Sequence, residues 1–164
     1  MSKNLTIVSV KCIKPSLAKD STTQDVFGAI DAAIAGTATF VAGATTGGLL
    51  IAATGVAAAG VAVINGLDHC FAGSDDLYLK VNGDKVWPSE RYKYNRSQQT
   101  QDVGYSVPLG DNVTIQLWDY DSSSADDLLG YLTLGSDHQT GNFTYLVQDK
   151  AEESIYAINI RITE

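Results

Sequence analysis

The densest chemistry in the chain is the run Trp118-Asp119-Tyr120-Asp121-Ser122-Ser123-Ser124-Ala125-Asp126-Asp127-Leu128-Leu129-Gly130. It leaves one apolar segment and enters another, so Asp119, Asp121 and Asp127 crowd a short loop. Like charges this close repel unless a cation lies among them. Carboxylate oxygens on a flexible loop suit calcium, which takes about 6–8 oxygen ligands at ~2.3–2.6 Å, better than zinc. The spacing is not that of an EF-hand, because no Gly occupies its sixth position and no Glu its twelfth. A solvated acidic turn is the plainer alternative. Elsewhere Gly43-Ala44-Thr45-Thr46-Gly47-Gly48 lacks the Lys-Ser/Thr of a phosphate-binding loop, and no Gly-x-Ser-x-Gly elbow occurs. His69 and His138 stand isolated in sequence, as surface or packing residues do, and no enzymatic activity is expected.

The elements that must position this loop read as short strands. Residues 5–13 are rich in β-branched side chains, and Val8, Val10 and Cys12 alternate with Ser9 and Lys11. Further strands are expected over 77–81, 85–87, 90–94, 105–108, 113–118, 129–134, 142–147 and 155–162. Asn82-Gly83 is a strong hairpin-turn signal between two of them. Short strands separated by Gly, Asp and Ser turns predict a mainly β fold, an eight-stranded antiparallel β-sandwich.

One stretch breaks that pattern. Residues 26–67 contain 13 Ala, 8 Gly and 14 bulky apolar residues, and only Asp31 is charged. The charge-free run is much longer than the ~20 residues of one transmembrane helix, and Thr45-Thr46-Gly47-Gly48 divides it. The expectation is an inserted apolar α-helical hairpin, with helices near 26–44 and 49–66, each about 27 Å long at 1.5 Å per residue. Chain organisation then reads as 1–25, the first strand and start of the sandwich; 26–67, the hairpin; and 68–164, the rest of the sandwich. The second helix has almost no polar face for water, which favours membrane insertion over permanent packing in protein. Small residues spaced four apart permit close helix contact and oligomers. The residues expected to meet lipid or neighbouring protomers are Asp31, Phe40, Gly43, Gly47, Gly48, Leu49, Leu50, Ile51, Gly55 and Gly60.

The net charge is −8, with seven basic against sixteen acidic residues over 68–164. That balance argues against nucleic acid and against unaided binding to anionic lipid. The N-terminus lacks the apolar run and cleavage site of a secretory signal. The expected location is therefore soluble before action, cytoplasmic or exported without a Sec signal, and then a target membrane. Cys12 and Cys70 flank the hairpin as two buried thiols or, in an oxidising compartment, a staple across its base.

Trp118 to Gly130 resembles the third calcium loop of the C-two domain, the calcium-dependent phospholipid-binding module of synaptotagmins and protein kinase C. That family shows an apolar or aromatic residue, Asp-x-Asp, five residues, Asp, two residues and Gly. Gly73-Ser74-Asp75-Asp76-Leu77-Tyr78-Leu79-Lys80-Val81 resembles its Ser-Asp-Pro-Tyr-Val-Lys-Val, with Leu77 in place of Pro. Ile13 to Asp20 resembles its first loop more weakly. The resemblance implies calcium as cofactor on Asp20, Asp76, Asp119, Asp121 and Asp127, with Asp25 and Asp68 as alternatives to Asp20. It also implies a phospholipid membrane as partner, the first and third loops pointing at it together. Combined with the hairpin, it implies calcium-dependent docking followed by insertion, with a homo-oligomer acting as a pore-forming toxin or effector. That role leaves room for a neutralising partner protein. A non-toxic, membrane-anchored or self-assembling module is the alternative.

Overall fold

The structure, a computed structural model, describes residues 2–16, 48–49, 73–149 and 154–164. Ten strands occur among them. These are β1 (Asn4–Lys14), β2 (Gly48–Leu49), β3 (Ser74–Val81), β4 (Asp84–Trp87), β5 (Lys93–Arg96), β6 (Thr100–Pro108), β7 (Val113–Asp119), β8 (Asp127–Leu134), β9 (Gly141–Asp149) and β10 (Ser154–Thr163). Sheet A has the order β2-β9-β10-β1-β6, and sheet B the order β4-β3-β7-β8 with β5 paired to β3. Every pairing is antiparallel. The expected sandwich is present, with ten strands in place of eight: the segments expected as strands correspond to β1 and β3 to β10, and β2 is the addition.

Alternation builds the core. Leu77, Leu79 and Val81 of β3 and Ile115 and Leu117 of β7 face Tyr156, Ile158, Ile160 and Ile162 of β10. In β1 the alternation is reset. Both of its pairings shift register between Ile7 and Ser9, so Leu5 and Ile7 point inward before the bulge and Val10 and Cys12 after it. Val8, expected to share a face with Val10, is only half-buried, because an extra residue in one strand moves those beyond it to the other face. The Asn82-Gly83 turn forms as expected, with φ of 53° and 93°, the positive pair a type I′ hairpin needs. The strand expected over 90–94 is instead β5, three residues later, and 90–92 are exposed loop.

The apolar hairpin expected over 26–67 lies outside the described residues except at Gly48 and Leu49. Those two do not turn and begin a helix. They form β2, paired with Val147 and Leu146 at the edge of β9. Among the described residues no helix is long and apolar enough to cross a membrane. Cys12 is a buried free thiol in the core, and burial pushes its pKa up; Cys70 lies outside the described residues. His138 is half-buried, its ring tilted against Tyr145 at 6.5 Å.

Candidate functional site

One end of the sandwich gathers the carboxylates. Asp119 is the last residue of β7, Asp76 is near the start of β3, and Asp127 opens β8 opposite Asp119. Asp119 Oδ1 accepts a hydrogen bond from the Asp76 amide at 2.6 Å, which ties two strand ends together. Burial, then the charge of Asp75, then those of Asp121 and Asp76 push the Asp119 pKa up to about 7, against the opposing pull of that amide. Burial and the charge of Asp121 also raise Asp76. Asp121 accepts a hydrogen bond from Ser124 Oγ at 2.9 Å. In Asp119 and Asp76 the ionised form is disfavoured first by burial and then by the neighbouring carboxylates.

Asp75, one residue before Asp76, supplies much of that destabilisation and is almost fully buried. It shares strand parity with Leu77, Leu79 and Val81, so β3 carries its side chain inward, where a charge is costly unless hydrogen-bonded. Ser16 satisfies it with its amide, at 3.0 and 3.2 Å to the two oxygens, and with its hydroxyl at 2.6 Å. The Tyr156 hydroxyl donates to its other oxygen. Burial still raises the Asp75 pKa, opposed by these bonds and by the nearby charge of Lys14, itself fully buried. Asp75 thereby fastens the end of β1 to β3 beneath Asp119. The strand expected over 77–81 begins two residues after it, so only the longer β3 shows that its side chain points inward.

Asp126, adjacent to the expected Asp127, closes the acidic loop. Its oxygens accept from the Asp121 amide at 3.2 Å and from the Tyr78 hydroxyl at 2.7 Å. Beyond Tyr78 the outer face of sheet B holds an open groove of about 440 Å³, lined by Tyr78, Lys80, Lys85, Arg91, Tyr120 and Asp126 together with Ser89 and Glu90. Lys80 Nζ sits 4.5 Å from the Trp118 ring centroid and 5.5 Å from that of Tyr78. Arg91 donates to the Tyr120 hydroxyl at 2.8 Å, and Lys85 to the carbonyls of Pro88 and Glu90 at 2.6 Å each. Three cations on one face of so acidic a chain stand out; Lys80 shares outward parity with Tyr78 along β3, whereas Lys85 comes from β4 and Arg91 from the loop before β5.

The expected ligand residues Asp76, Asp119, Asp121 and Asp127 thus converge on one end. Asp20, with its alternatives Asp25 and Asp68, lies outside the described residues, as do Asp31, Phe40, Gly43, Gly47, Leu50, Ile51, Gly55 and Gly60. Among the described residues no three His, Cys, Asp or Glu side chains form a group able to hold a metal ion. The donor chemistry, hard carboxylate oxygen, suits calcium, but the donor number falls short of the ~6–8 oxygens calcium takes. Water or a ligand's own oxygens would have to fill the remainder.

No family model matches the chain, and no curated protein does. Among solved structures it is similar to the C-two A domain of plant Extended Synaptotagmin 1, at 9% identity and a TM-score of 0.43, over 98% of this chain and 91% of that one.

Proposed function

We propose that this protein docks on phospholipid membranes with the help of calcium drawn to the acidic end where Asp76, Asp119, Asp121 and Asp127 converge, its coordination completed by water and lipid oxygens, and that residues 26–67 then enter the bilayer. One observation carries the reading. Asp119 and Asp76, whose charged forms are disfavoured by burial and then by neighbouring carboxylates, stand at the same end of the sandwich as Ser16 and Gly73, the described residues on either side of the apolar stretch. A Cβ on Gly73 would lie 3.7 Å from both Pro15 and the Ser16 carbonyl. Calcium, when bound, supplies positive charge that lets anionic lipid phosphate approach an acidic surface. The chain's own residues do the rest: Ser16 and Tyr156 hold Asp75 fixed, the Asp76 amide holds Asp119, and Lys80, Lys85 and Arg91 add cationic groups beside the loop. Insertion by several protomers would open a water-filled path, because one apolar hairpin cannot line a pore; permeabilisation as a toxin or effector is the outcome this reading expects. Enzymatic activity forms no part of it.

The test is co-sedimentation of the full chain with phosphatidylcholine/phosphatidylserine vesicles, in calcium or in chelator, with release of a trapped dye followed in parallel. Calcium should raise vesicle binding at least tenfold, and Asp119→Asn with Asp121→Asn should remove that gain. Equal binding in calcium and chelator would take the metal out of the mechanism. Calcium-dependent binding without dye release would leave a docking module and remove the pore.

A further inference from the structure

The surface beside the acidic end is bipolar. Residues 80–96 hold five of the chain's eleven basic side chains against Asp84 and Glu90, a local balance of +3, so the remaining residues carry −8 − 3 = −11. Tyr92 and Tyr94, at 38% and 49%, are the exposed large hydrophobic side chains among the described residues, and Arg91, Lys93 and Arg96 are exposed beside them. Stacking holds this strip in place. The Arg96 guanidinium lies over the Tyr94 ring, 5.1 Å from its centroid, and that of Arg91 over Tyr120 at 5.0 Å, while Tyr92 stacks on Tyr120 at 5.3 Å. Rings and guanidinium groups already ordered lose little further freedom when a partner meets them, and Tyr and Arg are enriched among the side chains that dominate interface energies.

The same surface continues into the carboxylates. Tyr94 pairs with Asp76 across β5 and β3, and the Tyr120 amide donates to the Asp76 carbonyl at 2.9 Å. Tyr120 itself lies between Asp119 and Asp121, and the exposed tip Ser122 to Ala125 follows. A cationic half, an aromatic centre and an anionic half therefore stand side by side. An anionic bilayer or an acidic protein matches the strip and is repelled by the loop, whereas a second copy of this chain matches both halves. A two-fold axis through the tyrosines lays the strip of each copy on the acidic loop of the other, so every contact is made twice. We propose that this protein forms an isologous dimer through Arg91, Tyr92, Tyr94, Arg96, Tyr120 and Asp121, the basic strip of one copy lying on the acidic loop of the second. So few exposed side chains make a small interface, weak and salt-sensitive. The dimer covers strip and loop together and, resting on the docking reading above, keeps the membrane-facing end closed until the copies part.

The test is sedimentation velocity of the full chain in chelator at low salt. It needs neither membrane nor calcium, so its failure leaves the phospholipid reading standing. The parent should pass from the mass of one chain to twice that mass as its concentration rises, and added salt should reverse the change. Arg91→Glu with Arg96→Glu makes the patch acidic throughout, and Asp121→Lys with Ser123→Lys makes it basic throughout. Each variant alone should weaken self-association by about tenfold or more. Mixed in equal amounts, the two variants present opposite charges at both contacts and should dimerise as the parent does, a rescue that misfolded chains could not give. A parent that stays monomeric at every concentration, variants that associate as the parent does, or a mixture that fails to recover overturns the proposal.

Discussion

The outer faces of the two sheets differ in a way that separates their tasks. Sheet B turns out Tyr78, Trp118, Lys80 and Tyr131, aromatic rings with a cation laid over two of them, and leaves a groove open beside them. Sheet A turns out Leu146, Ile155 and Ala157 and buries them. Aromatic rings beneath an ammonium can stand at a wet surface because the cation stays hydrated while it meets the ring. Aliphatic side chains have no such polar partner. One outer face therefore carries aromatic rings with a cation over them, and the other carries buried aliphatic side chains.

The largest effect should come from breaking the buried face. Ile155→Asn places an amide at a buried position and should cost about 3 kcal/mol, from lost burial plus an unsatisfied polar group. On the open face Tyr131→Asn should cost about 1 kcal/mol or less. Urea denaturation of both variants gives the comparison directly, and equal losses would erase the distinction between the two faces.

The acidic end where the faces meet should show itself in pH. The folded-state pKa of Asp119 is raised from 3.8 to about 7, so the folded protein binds this proton more tightly than the unfolded chain does. Stability from that group is present below the unfolded pKa and is lost as pH rises through the window from about 4 to about 7. Asp75 and Asp76, both raised, add in the same direction. With solvent screening, the loss traceable to Asp119 should be about 1–2 kcal/mol. Asp119→Asn keeps an oxygen for the Asp76 amide, removes the charge, and should flatten the profile while raising stability at pH 8. A profile as steep as that of the parent would assign the slope to other groups.

The sandwich was legible because its strands alternate and its turns carry Asn-Gly and Ser/Asp clusters, which are local signals. The count was not, since β2 is made by pairing to β9, and nothing in Gly48-Leu49 announces a partner so far along the chain. Nor was Val8's displacement, because a bulge is a property of two strands in register. The acidic loop was found from charge spacing alone, whereas the groove needed Tyr78 of β3 and Tyr120 and Arg91 of separate loops to meet. Asp75 hid beside Asp76 for the same reason: only the pleat tells which of two adjacent acids is buried.

Calcium offers a smaller effect at the same end. A cation bound to the folded state alone stabilises it by mass action, about 2.7 kcal/mol at a hundred times its dissociation constant and much less when ligands are few. At pH 7.5, millimolar calcium should raise the melting temperature by a few degrees, and Asp76→Asn should halve the rise or better. Magnesium, which demands tighter octahedral geometry, should do little. A melting temperature unmoved by calcium would leave the loop a solvated acidic turn.

The smallest stability effect belongs to the open face. Lys80→Met keeps the apolar stem over Trp118 and Tyr78 but removes the ammonium, so folding stability should fall by only about 0.5–1 kcal/mol. Attraction of one basic side chain to an anionic bilayer is worth about 1 kcal/mol near the surface, so calcium-dependent vesicle binding should fall roughly fivefold in the same variant. The ratio of the two losses decides what the face is for. A packing role would lower stability and leave binding of the still-folded protein alone. A ligand-facing role would lower binding most at low salt, where charges are least screened, and the gap between parent and variant should close as salt is raised. If vesicle binding of Lys80→Met matches the parent at every salt concentration, the cations of the groove serve the fold, and only the acidic end is left to meet the membrane.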